Sequence, residues 1–251
     1  MRGRPPSVAT GDSNTGRAAL LASRPVRVSV RFSPVGAAVD GSCAVIIDVL
    51  RATTTLTVAL VNGARGVSPA AAPEEALALR GSRPDTLACG ERNGRIVPGF
   101  DLGNSPFEYA ADVVRGKTLA FASTNGSLAM RVAGGAHRRV LAAFVNARAV
   151  VDRIRDEREV TIVCAGKLGR FCLEDAACAG LLLARLEAHR PVTADPAARL
   201  ARALAPIDAA EVRALLEGAS HARELAAMGE SYARDVEFCA RLDTIDHAFE
   251  V

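Results

Sequence analysis

The sequence contains no tryptophan, and aromatic residues fill only 4% of its 251 positions, so a core has to be assembled from Ala, Val, Leu and Ile. Lysine is almost missing. Lys117 and Lys167 are the only two, and the rest of the basic charge is arginine. With arginine this common, no single Arg marks an anion site by its presence, and position has to carry that argument. Six cysteines occur (Cys43, Cys89, Cys164, Cys172, Cys178 and Cys239) without a CxxC pair, which argues against a zinc knuckle. Most lie in apolar runs, as buried free thiols do, and that fits a reducing cytoplasm. Histidine is limited to His137, His189, His221 and His247. All four lie outside the polar clusters described below, which argues against a His nucleophile or a His-rich metal site. A strong excess of one charge is also lacking: the formal net charge of +3 does not suggest a nucleic-acid binder, whose basic residues would be clustered. No charge-free apolar run approaches the ~20 residues of a membrane span.

What is present is an alternation of strand-like and helix-like patterns from residue 26 onward. Residues 1–24 precede it. They are rich in Arg, Pro, Gly, Ser and Thr, their one apolar run (18–22) is too short for a signal-peptide core, and they are expected to form a disordered tail. Residues 26–32 alternate apolar and polar side chains, as an edge or half-buried strand does. Ala44-Val45-Ile46-Ile47 is a β-branched run of the kind found in buried parallel strands, and 53–61 reads as a helix opened by three threonines. Helices are expected over 73–79, 125–132 and 173–189, and strands over 86–89, 118–122, 139–144 and 159–164. Ser105-Pro106-Phe107-Glu108 carries the cap, Pro and Glu of a helix start, and Asn146 is expected to cap a helix ending at 154. After Pro191 the patterns turn helical, at 196–204, 209–216, 220–228 and 231–241, before a strand-like tail at 244–251. The fold class is α/β: a layered α/β/α arrangement around a mostly parallel or mixed sheet, with a helical C-terminal region.

Four polar clusters interrupt this alternation, each after an expected strand, where parallel sheets bind ligands. They converge on one site if their strands share a sheet. The first is Asp48-Val49-Leu50-Arg51-Ala52-Thr53-Thr54-Thr55. A strand-end Asp is costly to bury unless it meets a cation, and Arg51 with the threonines precedes a helix N-terminus, an anion site. The same residues also suit a helix cap with a structural ion pair. The apolar run ending in Asp is similar to haloacid-dehalogenase phosphatases, but those need a second Asp two residues on, where this chain has Leu50. The second cluster runs from Gly90-Glu91-Arg92-Asn93-Gly94 to Asp101 and Asn104. Its paired Glu91 and Asp101 suit a hard cation such as Mg²⁺; a turn-rich surface loop is the plainer reading. The third, Ser123-Thr124-Asn125-Gly126-Ser127, offers hydroxyls and loop N–H groups to phosphate oxygens, or simply a capping turn. The fourth is Cys164-Ala165-Gly166-Lys167-Leu168-Gly169-Arg170, followed by Glu174 and Asp175. Lys167 and Arg170 are placed to hold acidic groups, and the two carboxylates to complete a metal site. Cys164 and Arg170 also match the Cys-x5-Arg pattern of thiolate phosphatases, although a strand-end thiol is more often buried and inert.

Taken together, the strings IDVLRATTT (47–55), CGERNG (89–94), GFDLGNSPFE (99–108), STNGSLA (123–129), FVNA (144–147) and VCAGKLGRFCLED (163–175) resemble the 2-phosphosulfolactate phosphatase family, as do SHARELAAMG and DVEFCARLD further on. The resemblance covers roughly residues 26–247, although Ile245-Asp246-His247 replaces an expected Val-Pro and serines stand at 123 and 127 where the family leads one to expect threonine. It implies a cytoplasmic phosphoric monoester hydrolase of a coenzyme M route, with a catalytic domain over 25–251 in one or two lobes. The implied reaction releases phosphate from (2R)-O-phospho-3-sulfolactate with Mg²⁺. The alternatives are a related phosphatase of another small acidic organic phosphate and a non-catalytic anion-binding protein. The implied metal ligands are Asp48, Glu91, Asp101, Glu174 and Asp175. Asp48 and Arg51 take catalytic roles, with the nucleophile left between metal-bound water, Asp48 and Cys164. Thr53, Thr54, Arg92, Asn104, Ser123, Thr124, Asn125, Gly126, Lys167 and Arg170 bind substrate. The expected partner is a small phosphorylated acid, with no nucleic acid and no membrane; a homo-oligomer is left open.

Overall fold

A computed structural model describes residues 24–251. The expected disordered tail, 1–24, therefore falls outside the described residues except for Arg24. Two sheets, not one, organise the chain. The first has five parallel strands in the order β7-β2-β8-β1-β9: β1 (Val26–Arg31), β2 (Cys43–Ile47), β7 (Arg138–Ala142), β8 (Glu159–Cys164) and β9 (Val192–Ala194). The second has the order β3-β6-β4-β5: β3 (Gly66–Pro69), β4 (Thr86–Arg92), β5 (Arg95–Ile96) and β6 (Thr118–Ala122), all parallel but for the β4–β5 hairpin. Asn93 and Gly94 make that hairpin's two-residue turn at φ 52° and 80°, the left-handed pair that an Asn-Gly turn favours.

Burial follows the sequence pattern. Every residue of β2 is buried, because layers cover both its faces. Val26, Val28 and Val30 of β1 point into the core while Arg27 and Arg31 stay exposed. The alternation thus reports a half-buried strand, but an interior one, flanked by β8 and β9.

Ten helices are described: α1 (Ala52–Val61), α2 (Pro73–Ser82), α3 (Ala111–Val114), α4 (Gly126–Val132), α5 (Ala147–Ile154), α6 (Leu173–Glu187), α7 (Pro196–Ala203), α8 (Ala209–Gly218), α9 (Ser220–Ala226) and α10 (Glu230–Cys239). One face of the first sheet packs on α5, α6, α7 and α8 through Val45, Ile47, Ile162, Leu182 and their neighbours. Its other face shares a core with α1, α4 and the second sheet: Ile46, Leu141 and Val163 meet Leu56, Met130, Leu119 and Phe121. Helix α2 covers the far side of the second sheet through Ala76, against Ala88 and Ala120.

Several local expectations change. The helix start at Ser105 is a single 3-10 turn, Pro106–Glu108, capped by the Ser105 hydroxyl. Asn146 does not cap α5. Its amide oxygen accepts the Ala143 N–H (2.9 Å) and its amide nitrogen donates to the carbonyl of Leu141, so it buckles the turn after β7. The strand-like tail forms no strand of its own. It runs antiparallel to β7, with Leu141 N–H donating to Phe249 and Val251 N–H to Arg139, and so covers an open edge.

Candidate active site

The carboxyl ends of β2 and β8 in the first sheet and of β4 and β6 in the second face a common cleft of about 280 Å³. The polar clusters therefore meet across two sheets, although their strands do not share one. Asp48, Arg51, Glu91, Asn104, Thr124, Asn125 and Lys167 all line it, joined by Asn93 and by His221 and Glu224 from the C-terminal helices.

Asp48 follows directly on β2 and is buried. One carboxylate oxygen accepts the Ala52 N–H at the start of α1 (3.3 Å). Its side chain lies so close to the third cluster that a Cβ on Gly126 would come within 2.7 Å of Oδ2, so glycine there is a condition of the approach. Burial pushes the Asp48 carboxyl up to about 7, and the charges of Glu91 and Glu174 push the same way, against the opposing influence of His221 and the Ala52 N–H. Glu91, at the end of β4, is held rigidly. Its Oε1 accepts the Thr124 N–H (2.7 Å), and its Oε2 accepts the Gly94 N–H (2.7 Å) and the Thr124 hydroxyl (3.1 Å). Just before it, Gly90 adopts φ +126°, and a Cβ there would sit 2.0 Å from the Ala122 carbonyl oxygen, which sets how closely β4 and β6 deliver Glu91 and Ser123.

Glu174 and Asp175 open α6, and the structure gives them different tasks. Asp175 accepts Val49 N–H on one oxygen and Gly166 N–H on the other (both 2.9 Å), clasping the loops after β2 and β8. Burial, then the charges of Asp48 and Glu174, raise its pKa well above the ordinary carboxyl value. Glu174 bonds His221 Nδ1 through Oε1 (2.8 Å), but its Oε2 is buried with no hydrogen-bond partner. The Asn104 side-chain oxygen is equally buried and without a partner, on the cleft wall. The charges of Asp48 and Glu174 both act on Asp175, and one Glu174 carboxylate oxygen and the Asn104 amide oxygen have no partner; these are oxygen donors of the kind a hard cation takes.

Several expected site residues are placed elsewhere. Asp101 is exposed, pairs with Arg80 (3.2 Å) and accepts the Ala88 N–H (2.8 Å); it does not reach the cleft. The Thr53 hydroxyl donates to the Ala142 carbonyl (2.7 Å) and Thr54 to the Val49 carbonyl (2.9 Å), so both brace α1 from within the core. Ser123 exchanges bonds with Ser127 across the α4 entrance, so its hydroxyl caps the helix. Arg92 lies off the cleft, folded back onto the Glu91 carbonyl. Arg170 is exposed on an adjoining pocket. Cys164 is buried and its thiol is raised well above the ordinary value, mainly by burial, which removes the thiolate that a Cys-x5-Arg mechanism needs. Arg51 is at the cleft, but its guanidinium is already engaged: Asp235 at 2.5 Å, the Gly94 carbonyl at 2.7 Å and the Tyr232 ring beneath it. Asp235 also accepts the Ser105 hydroxyl (2.6 Å) and so ties α10 to two site loops.

Asp235, His221 and Glu224, all from the C-terminal helices, escaped the reading by clusters. His221 lies outside the polar clusters in sequence, yet α9 carries it into the cleft from 46 positions beyond Asp175. The traceable signals were the strings around them, SHAREL and DVEF, whose helical periodicity alone says nothing of this destination.

The fold and site are those of an α/β protein that gathers buried carboxylates at strand ends beside a polar cleft. Comparison with known proteins is specific. The family model for 2-phosphosulpholactate phosphatase matches residues 33–251. Proteins called "Probable 2-phosphosulfolactate phosphatase" are similar: that of Symbiobacterium thermophilum is 42% identical over 209 residues (82% of this chain, 89% of that one). Those of Thermotoga petrophila and Thermotoga maritima are 40% and 38% identical over 205 residues, covering 82% of this chain and 87% of theirs. The chain belongs to the 2-phosphosulfolactate phosphatase family. Among the described residues, no helix is long and apolar enough to cross a membrane.

Proposed function

We propose that the protein is a Mg²⁺-dependent phosphoric monoester hydrolase that releases phosphate from (2R)-O-phospho-3-sulfolactate. The observation that carries the reading is the placement of the buried Asp48 and Glu91 carboxylates on one cleft with the Asn104 amide oxygen, and of buried Glu174 on the adjoining pocket, in a chain of this family. Asp48, Glu91 and Glu174 would hold the metal, with the Asn104 amide oxygen beside them. Asp175 positions the two loops that carry Asp48 and Lys167. Bound there, Mg²⁺ would neutralise charge on the transferring phosphoryl oxygens. The chain's own groups do the remainder. Lys167 stands on the cleft wall and offers the substrate a cation, at present shared with Glu224. Arg51, locked by Asp235 and Gly94, supplies a fixed positive field without a side chain to reorganise. Thr124 and Asn125 present polar groups of the α4 entrance, where loop N–H groups favour an anion.

Six free, buried cysteines support a cytoplasmic setting and, with the substrate, a place in a coenzyme M route. The test is a phosphate-release screen over organic phosphates with and without Mg²⁺. Release from phosphosulfolactate in Mg²⁺ and none in EDTA is the expected result. Full turnover by enzyme shown by elemental analysis to be metal-free would overturn the metal, and turnover only of other esters would overturn the substrate.

A further inference from the structure

The N-terminus of α6 and the first turn of α9 bring three dissimilar ligand atoms together. His221 Nδ1 lies 2.8 Å from Glu174 Oε1 and 3.9 Å from Cys172 Sγ, and one ligand atom from each residue falls within 4.8 Å of the others. Cys172 and Glu174 are buried. Glu174 is 1% exposed, and its second carboxylate oxygen has no hydrogen-bond partner, an unmet buried acceptor. A tetrahedral zinc with bonds of about 2.0–2.3 Å separates its ligand atoms by about 3.3–3.6 Å. The two His221 separations lie on either side of that range and the third is within 4.8 Å, so side-chain shifts of about an ångström would close the site. A pocket of about 710 Å³, lined by these same three residues, opens it to solvent.

We propose that Cys172, Glu174 and His221 bind a transition-metal ion of the Zn²⁺ class, and that this ion inhibits the enzyme by taking Glu174 from Mg²⁺. A thiolate with an imidazole selects a borderline or soft ion and offers nothing to Mg²⁺, which prefers oxygen. Three protein ligands leave the fourth position to water. As the ion binds, the Cys172 thiol gives its proton to solvent, the proton between His221 Nδ1 and Glu174 is released to solvent while the imidazole keeps or takes up one on Nε2, and two metal bonds replace that hydrogen bond. The inhibitory half rests on Glu174 serving Mg²⁺ as proposed above; the binding half does not.

The test uses the full-length, metal-free protein with Co²⁺ as a spectroscopic probe. One equivalent should produce a thiolate-to-cobalt charge-transfer band in the near ultraviolet, absent in Cys172→Ser and in His221→Gln, with circular dichroism confirming that both variants fold. Separately, Zn²⁺ should inhibit Mg²⁺-supported turnover of the wild type. Cys172→Ser should turn over normally in Mg²⁺ alone and need at least about tenfold more Zn²⁺ for the same inhibition. No band from the wild type, or a band retained in folded Cys172→Ser, overturns the site. Equal Zn²⁺ sensitivity of wild type and Cys172→Ser overturns the inhibition. Should the wild type show no Mg²⁺-dependent turnover at all, the proposed activity fails and the cobalt band still decides the site.

Discussion

Asp48→Asn is expected to stabilise the metal-free protein while abolishing its turnover. Asp48 is 5% exposed, and its folded-state pKa of about 7 stands above the ordinary value of 3.8. Below that ordinary value, folded and unfolded chains both carry the proton and Asp48 adds no pH dependence. Between 3.8 and about 7 the unfolded chain has released the proton while the folded chain keeps it, so stability falls as pH rises across this window. Above it both forms are ionised and the cost is constant. A shift of roughly three units at 1.36 kcal/mol each sets an upper bound of about 4 kcal/mol. For a chain of this size that is on the order of 10 °C in melting temperature. The amide keeps the shape and the acceptor for the Ala52 N–H but removes the charge. In EDTA, the wild type should therefore lose stability from pH 4 to pH 8, and the variant should lose less and melt higher at pH 8. Mg²⁺ should raise the wild-type melting temperature at pH 8 and raise that of the variant less, because the variant has lost one of the three carboxylates proposed to hold it. Thermal denaturation at several pH values, with and without Mg²⁺, provides the measurement. A variant that melts below the wild type at pH 8 in EDTA, or a wild-type profile flat across the window, would refute the reasoning.

Gly126→Ala should cut kcat by about tenfold or more with a smaller effect on melting, since its Cβ would press within 2.7 Å of Asp48 Oδ2 and Ala52; wild-type kinetics in a folded variant would show that the approach is not needed. Cys164→Ser should keep wild-type-scale turnover, and the native enzyme should resist iodoacetamide, because the thiol is buried and held protonated; a folded but inactive variant would restore the thiolate mechanism. Asp101→Asn should leave kcat unchanged and shift stability by no more than about 0.5 kcal/mol, as its pair with Arg80 is exposed and Asn can still accept the Ala88 N–H; loss of Mg²⁺ dependence would place Asp101 in the site after all. Asp235→Asn should destabilise the fold by about 3 kcal/mol or more in urea titration, because it leaves the buried Arg51 guanidinium without its counter-charge; a change within error would mean that Gly94 and Tyr232 suffice.

Most of the longer elements, and the residue types gathered in the polar clusters, were legible in the sequence. Ala44–Ile47 could be read as a buried parallel strand because β-branched residues without polar interruption satisfy only a strand covered on both faces. Asp48 was legible as a metal-site candidate because a strand-end carboxylate is expensive to bury without a cation, and Glu91 and Glu174 because they stand in polar segments after other strands. The family resemblance was legible in the long strings around them. Only the tertiary structure decided which of the polar residues face one another. Strand pairing is a non-local choice. Short segments such as Gly66–Pro69 and Val192–Ala194 carry too little pattern to announce it, so the division into two sheets was hidden. For the same reason Asp101 and Glu91, 10 residues apart in one loop region, part company: the Asn93-Gly94 hairpin turns Glu91 into the cleft while Asp101 bonds back onto Ala88. Hydroxyls such as Thr53 and Ser123 look alike in sequence whether they meet a ligand or a backbone carbonyl, and the packing of α1 and α4 chose the backbone. His221 and Asp235 became site residues because the C-terminal helices fold back over strand ends laid down more than 40 residues earlier, a contact encoded in apolar faces and shape complementarity and in no local motif.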